Sequence, residues 1–235
     1  MRISDILMPQ TVKCIFCGRE DNSIGICEKC YKELPFIHGR TCNKCGGHVK
    51  MDEIICLQCR NYEHIFNTNY SILDYDGIIK DKIIEFKQSR FKDIGSAFAH
   101  IMLDYFEKLK LDIDLIIPVP IHENRLKARG FNQTEILLTE IAKKYNKLVN
   151  PELLKRIKDT PHQTGLGRIN RLENLYMAFE VTNKKKIKNK KILLVDDIYT
   201  TGTTLDECAR TLYDAGAKSV MSLCLARGLV YDNKK

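Results

Sequence analysis

The sequence of 235 residues predicts an α/β protein with a mostly parallel sheet flanked by helices, preceded by a small cysteine-rich domain. Two observations predict this organisation. From about residue 70 onward, apolar strand-like segments alternate with helical patterns, which is typical of right-handed crossovers between parallel strands. Eight of the ten cysteines fall within the first 59 residues, in four CxxC pairs. We therefore expect a cysteine-rich domain over residues 1–66 and the α/β domain over residues 67–235.

The cysteine pairs predict two tetrahedral zinc sites, because four thiolates satisfy one zinc ion. The eight predicted ligands are Cys14, Cys17, Cys27, Cys30, Cys42, Cys45, Cys56 and Cys59. Glycine follows the first and third pairs, so we expect each site to combine a glycine-bearing pair with the next plain pair. A cross-braced arrangement, with the first and third pairs together, is the open alternative.

Closed four-thiolate sites fold a chain segment and leave no position for catalysis, so we expect both metals to be structural. A surface for DNA or a partner protein is the alternative for this domain. The nearby His38, His48 and His64 are expected to be exposed loop residues, since the thiolates already complete both sites.

In the α/β part, the predicted elements follow from periodicity. YSILDYD alternates as a strand, and helical spacing follows in two segments that extend to Leu109. LIIPVP (115–120) predicts a short buried strand, HENRLKARG (122–130) a basic loop, 132–145 a helix, and Leu153 and Leu154 mark another strand.

The C-terminal third predicts the remaining elements. KKKIKNKK (184–191), with six lysines, is interpreted as a solvated loop, a nucleic-acid contact being the minority interpretation. KILLVDD then predicts a buried strand, Thr203 to Ala215 a helix, and SVMSLCLA a final strand.

The charge balance favours an anionic partner. The formal net charge is +8, and residues 1–66 carry nine Lys/Arg against eight Asp/Glu, so the excess lies downstream of the cysteines. Phosphorylated substrates and nucleic acids both suit this excess. No apolar run approaches the ~18 residues that a membrane span needs, and the first residues lack a signal-peptide pattern, so we expect a cytoplasmic protein without membrane insertion.

VDDIYTTGTT (195–204) is the most informative segment. The strand before it places Asp196 and Asp197 at the carboxyl edge of the sheet, where open α/β sheets bind ligands. The hydroxyl-rich turn that follows ends at a helix N-terminus, which favours a phosphate. Carboxylates accept hydrogen bonds from diols and repel phosphates, so a ribose 5-phosphate satisfies both halves of the segment.

This segment resembles the phosphoribosyl pyrophosphate (PRPP) loop of type I phosphoribosyltransferases. The resemblance extends over nearly the whole chain to the ComF family of competence-associated proteins, through the cysteine pairs, PVPIHENRLKARGFNQ, and a QTGL…R..NL segment. It implies a type I phosphoribosyltransferase-like fold behind a double zinc ribbon.

The resemblance also implies roles for residues. Asp196 and Asp197 would bind the ribose hydroxyls, and Arg125 and Arg129 would face pyrophosphate. The 5-phosphate would lie on Thr200, Thr201, Gly202, Thr203 and Thr204. Further positions that match the family are Lys87, Gln163, Arg171 and Asn174.

By this resemblance the protein transfers phosphoribosyl from PRPP, with Mg²⁺, to an unknown acceptor and is associated with DNA uptake in natural transformation. The alternative is a non-catalytic accessory protein that senses PRPP or binds single-stranded DNA, with competence proteins as partners. The transferase would release pyrophosphate from PRPP, whereas the accessory protein would not.

Overall fold

The computed structural model describes residues 12–21, 24–88, 92–160 and 174–228. Its centre is a four-stranded, fully parallel sheet in the order β3-β8-β7-β4. The strands are β3 (Asn69–Asp74), β4 (Leu115–Pro118), β7 (Lys191–Tyr199) and β8 (Ser219–Arg227). The predicted parallel sheet is thus confirmed.

The central strands are apolar on both faces because helices and a hairpin cover both. Ile192 to Val195 of β7 are fully buried, and the register pairs Ile117 with Leu194 and Val195 with Leu223. This register brings the carboxyl ends of β4 and β7 to the same edge of the sheet. Side chains that follow these two strands therefore meet there.

Helices from the middle of the chain pack on one face. They are α3 (Gly77–Gln88), α4 (Lys92–Leu109), α6 (Gln133–Leu137) and α7 (Thr139–Lys144). Ile79, Ile83 and Phe86 of α3 point into this core at the spacing that the sequence predicts.

The opposite face is covered by α9 (Thr203–Asp214) and by a hairpin of β5 (Leu154–Arg156) and β6 (Phe179–Val181). A short 3₁₀ helix, Pro151–Leu153, leads into β5. Leu205, Cys208 and Leu212 of α9 lie in this second core. Cys208 is fully buried and packs in this core.

Two local predictions were wrong, and a third was right in its extent but not in its continuity. The basic segment after β4 is not a loop but a helix, α5 (Glu123–Arg129), because the His122 ring accepts the Asn124 N–H at its start and Gly130 ends it at a φ of 86°. The helix expected over 132–145 is divided into α6 and α7 at Leu138. Within the lysine run, Lys184–Ile187 forms a helical turn, α8, that buries Ile187.

The N-terminal part consists of a hairpin, β1 (Val12–Lys13) with β2 (Glu20–Asp21), and two short helices, α1 (Glu28–Lys32) and α2 (Leu57–Asn61). Each helix begins directly after a cysteine, Cys27 or Cys56. In the part of the chain that the structure describes, no helix combines the length and apolar character that crossing a bilayer requires.

Candidate functional site

The two acids predicted from the sequence lie at the carboxyl end of β7. Asp197 forms an ion pair with Lys87 of α3, with 2.7 Å between Oδ2 and Nζ. Asp196 accepts the backbone N–H of Asp197 at 2.9 Å through Oδ1. The structure therefore brings together Lys87 and both acids, three of the predicted site residues.

Burial and the neighbouring charges shift the pKa values of Asp196 and Lys87. Desolvation, followed by the neighbouring Asp197 charge, raises the pKa of Asp196 to about 7. Burial disfavours the charged form of Lys87, but the Asp197 carboxylate outweighs it and the pKa of Lys87 is raised. A cation beside one acid and a shifted pKa on the other are typical of a functional site.

The hydroxyl-rich turn follows β7 directly. Gly202 has a φ of 77°, a left-handed conformation that glycine adopts without strain, and it precedes the first residue of α9. The Thr201 and Thr203 hydroxyls are 2.8 Å apart. The first N–H groups of α9 have no partner within the helix, so the turn and the helix dipole favour an anion here.

Two arginines line the same cleft as this turn. Arg125 and Arg129 both come from α5, and Arg125 donates to the Thr160 carbonyl at 2.5 Å between Nη2 and O. Burial lowers the pKa of Arg129, although a guanidinium remains charged. The helix that replaces the expected loop places these two side chains on one side of the cleft.

Arg156 is a third arginine of the cleft, and the sequence did not predict it. It ends β5, donates to the Thr160 hydroxyl, and its guanidinium lies 5.7 Å from the centre of the Phe179 ring. Burial and the charge of Arg125 lower its pKa. Only its position at the end of a short strand distinguishes Arg156 in the sequence.

These groups line one cleft with a volume of about 340 Å³. Its lining residues are Tyr75, Lys87, Val119, Pro120, Ile121, Arg125, Arg129, Gln133, Thr134, Arg156, Asp196, Asp197, Ile198, Thr200 and Thr204. Gln133 is 2% exposed, and its Nε2 is the buried side-chain polar atom that lacks a hydrogen-bond partner within the described ranges. An unpaired buried donor beside arginines is suited to an anionic ligand.

Gln163 and Arg171, which the resemblance placed near the PRPP loop, lie outside the described residues. Asn174 is the first residue described after this gap. The roles that the resemblance implies for Gln163, Arg171 and Asn174 therefore stay predictions.

The cysteines form two groups, and the pairing is sequential. Cys14, Cys17, Cys27 and Cys30 make the first group, and Cys42, Cys45, Cys56 and Cys59 the second, with all ligand atoms of a group within 4.8 Å of one another. A tetrahedral zinc site with ~2.3 Å Zn–S bonds requires sulfurs about 3.8 Å apart. The Cys17–Cys27 and Cys45–Cys56 sulfurs are 3.8 and 3.5 Å apart, which fits zinc.

The charge around the first group also favours a thiolate ligand. A hydrogen bond from Arg19 lowers the pKa of Cys17 to about 6. A deprotonated sulfur is the form that binds metal.

Of the three histidines expected to be exposed, His38 and His48 are exposed, and His48 also pairs with Asp74 at 3.2 Å. The expectation is wrong for His64, which is 4% exposed. It lies beneath the hydroxyl-rich turn, in contact with α9, so its burial arises from residues far away in the sequence.

A parallel sheet with paired acids and a hydroxyl-rich turn at its carboxyl edge, behind a cysteine domain with two four-cysteine groups, defines the class of protein. A double zinc ribbon domain matches residues 3–60, and a phosphoribosyl transferase domain matches residues 128–235. The fold is accordingly that of a type I phosphoribosyltransferase with an N-terminal zinc ribbon.

Curated relatives align over most of the chain. The DNA utilization protein YhgH of Escherichia coli K12 is 28% identical, covering 87% of this chain and 98% of the relative. Competence protein F of Haemophilus influenzae is 28% identical, with 86% and 90% covered. Competence protein ComFC of Bacillus subtilis is 27% identical, with 92% and 89% covered. The chain is thus similar, over most of its length, to these competence and DNA utilization proteins.

Among solved structures, a hypoxanthine phosphoribosyltransferase from Staphylococcus aureus aligns with a TM-score of 0.38. It is 12% identical and covers 62% of this chain and 71% of that chain.

Proposed function

We propose that the protein binds PRPP in the cleft and transfers its phosphoribosyl group to an acceptor. The observation that carries this proposal is the arrangement around the cleft. Paired acids and an anion-binding turn lie at one strand end, and Arg125, Arg129 and Arg156 line the same cavity of about 340 Å³. The 5-phosphate would lie on the turn from Thr200 to Thr204, and the ribose hydroxyls would face Asp196 and Asp197.

The reaction chemistry agrees with these charges. Breaking the bond between the anomeric carbon and pyrophosphate develops positive charge on the ribose and negative charge on the leaving group. The carboxylates of Asp196 and Asp197 stabilise the positive charge on the ribose. The guanidinium groups stabilise the negative charge on pyrophosphate through bidentate hydrogen bonds. No protein nucleophile is required. The nearby Cys208 is buried, and burial raises its pKa well above the ordinary value.

Magnesium fits the donor set of this cleft. Carboxylates together with phosphate oxygens are the ligands that Mg²⁺ prefers. Asp196 and Asp197 would hold the ion with PRPP, and it would neutralise the negative charge that develops on pyrophosphate. Lys87, which pairs with Asp197 at 2.7 Å, orients that carboxylate and restrains it before ligand arrives.

A titration and a turnover assay test this proposal. Ribose 5-phosphate should bind the zinc-loaded protein, and PRPP with Mg²⁺ should slowly yield pyrophosphate and ribose 5-phosphate, because water takes the phosphoribosyl group when no other acceptor is present. The Asp196→Asn/Asp197→Asn variant should do neither. Equal pyrophosphate release by both proteins would contradict the assigned roles of the acids. Tight PRPP binding without any turnover would favour a PRPP-sensing role.

We further propose a role in DNA handling during competence, which rests on the names of the relatives. One surface supports it. Lys184, Lys185, Lys186 and Lys188 are exposed, and none forms an ion pair with a residue that the structure describes. This lysine surface is at the amino end of β7, whereas the cleft is at its carboxyl end. DNA on the lysine surface would therefore not block PRPP in the cleft. Thiolate zinc sites suit a reducing compartment, which supports a cytoplasmic location.

Fluorescence anisotropy with single-stranded DNA tests the DNA role. Binding should weaken steeply with salt, and changing Lys184, Lys185 and Lys186 to Gln should reduce the slope of log K against log salt by roughly 2, at ~0.7 for each lost phosphate contact. An unchanged slope in this variant would exclude the lysine surface. Undetectable binding of wild type even at low salt would exclude direct DNA binding.

A further inference from the structure

His64 connects the second cysteine group to the hydroxyl-rich turn. It lies five residues after Cys59 and is 4% exposed. Its Nδ1 is 2.8 Å from Oδ2 of Asp206, and its Nε2 is 3.1 Å from the hydroxyl of Tyr199. Both ring nitrogens therefore have partners, and these partners lie on opposite sides of the turn.

Tyr199 is the last residue of β7, immediately before the turn, and Asp206 lies in the first turn of α9, immediately after it. Asp206 also accepts the backbone N–H of Ile65 at 2.7 Å through Oδ1. The segment around His64 thus holds both ends of the turn, through hydrogen bonds that are shielded from water.

The imidazole also lies directly against Gly202. A Cβ atom on Gly202 would be 2.6 Å from Cε1 of His64 and 2.7 Å from the Tyr199 hydroxyl. The ring of His64 stacks on Phe66, with 4.6 Å between centroids and 25° between planes. Since Phe66 is fully buried, the imidazole has a rigid support beneath it.

A second connection leads from the cysteines to Tyr199. The guanidinium of Arg227 lies 4.6 Å from the centre of the Tyr199 ring, and its Nη1 donates to the Cys45 carbonyl at 2.8 Å. Arg227 is 6% exposed. A zinc ion with four thiolates carries a net charge of about −2, which gives this buried cation a compensating charge. Asn69 donates to the same carbonyl at 3.0 Å.

We propose that His64 and Tyr199 are positioning residues for the 5-phosphate turn, and that they couple its conformation to the second cysteine group. This inference rests on the proposed function, since it assigns the support of the same phosphate site. The cysteine domain then has a role beyond its own folding. With its metal bound, it presents His64 and the Cys45 carbonyl in the positions that the turn requires.

Calorimetric titration of the zinc-loaded full chain with ribose 5-phosphate tests the positioning role. Tyr199→Phe removes one hydroxyl and keeps the ring that contacts Arg227, and it should weaken binding about tenfold, as expected for one lost buried hydrogen bond to a preorganised site. His64→Ala should weaken it further, and His64→Gln should recover part of the loss. His38→Ala, an exposed histidine of the same domain, is the matched control and should bind like wild type.

Zinc affinity provides a readout that a purely structural role would not change. Coupling is reciprocal, so saturating ribose 5-phosphate should strengthen zinc binding at the second group by the factor that zinc strengthens the sugar phosphate. We expect an increase of about fivefold or more in equilibrium competition with a chelator, for one of the two ions, and no increase in Tyr199→Phe.

The outcomes separate the two proposals. Wild type that fails to bind ribose 5-phosphate would overturn the proposed function and this inference together. Wild type that binds the sugar phosphate, while Tyr199→Phe and His64→Ala bind it equally well, would overturn the positioning role alone. Zinc affinity that does not respond to a bound sugar phosphate would overturn the coupling.

Discussion

Replacing Asp196 by asparagine should stabilise the folded protein at neutral and higher pH while removing ligand binding. Desolvation and the neighbouring Asp197 raise the pKa of the Asp196 carboxyl to about 7, so its ionisation opposes folding. Asparagine has nearly the same shape and can keep the hydrogen bond from the Asp197 N–H. It carries no charge at any pH.

The sign follows from proton binding. Below about pH 4 the carboxyl is protonated in both states, so the two proteins differ little. Between about pH 4 and 7 the unfolded carboxyl loses its proton while the folded one keeps it, which favours unfolding increasingly, and the full penalty is present above about pH 7. The advantage of asparagine therefore grows with pH.

The upper limit of this advantage follows from the raised pKa. At ~1.4 kcal/mol for each pKa unit, a shift from the ordinary value to about 7 corresponds to about 4 kcal/mol. Asp196 is half-buried and lines an open cleft, so solvent screening reduces this to about 2 kcal/mol. For a chain of this size, that is an increase in Tm of roughly 4–8 °C.

Thermal unfolding of both zinc-loaded proteins at pH 5 and pH 8 measures the effect, and comparison at equal pH cancels the titration of the cysteines. Asp197→Asn is the matched control. It removes the partner of Lys87 and should lower Tm at pH 8. An Asp196→Asn variant that is equally stabilised at both pH values, or destabilised at pH 8, would refute the assigned burial penalty.

The other predictions concern the turn, the arginines and the metals. Gly202→Ala should weaken ribose 5-phosphate binding at least about tenfold, because the left-handed φ and the contact with His64 cost about 1–3 kcal/mol; wild-type affinity in calorimetry would contradict this. Arg156→Met should weaken pyrophosphate binding about tenfold, whereas its exposed neighbour Lys155→Met should not; equal losses would show only a general charge effect. Cys56→Ser should leave one zinc ion per chain by metal analysis, since Cys56 belongs to the second group alone; retention of both would contradict the role of Cys56 as a zinc ligand.

Local sequence patterns predicted the elements that carry the site. The apolar run before Asp196 could only be a buried strand, and two acids followed by a threonine-glycine turn predicted where ligand chemistry would lie. The wrong predictions were also local. The helix over Glu123–Arg129 depends on its caps at His122 and Gly130, which the high charge of the segment obscured.

Residues joined across long stretches of chain could not be predicted. Arg156 belongs to the cleft because the β5–β6 hairpin brings it beside Arg125, 31 positions earlier in the sequence. Its short strand has no spacing that distinguishes such an arginine from an exposed one. The Gln133 amide nitrogen, which has no hydrogen-bond partner among the described residues, is recognisable only once the surrounding core is in place.

By itself the sequence determined the ligand chemistry: eight thiolates in close pairs, two acids at a strand end, and a turn suited to phosphate. Those properties reside within a few consecutive residues, where spacing alone constrains geometry. The tertiary structure decided which cysteines share a metal, which arginines face the acids, and that His64 supports the turn through Asp206, 142 residues away. Contacts of this kind depend on how packed layers meet, and no local pattern records that.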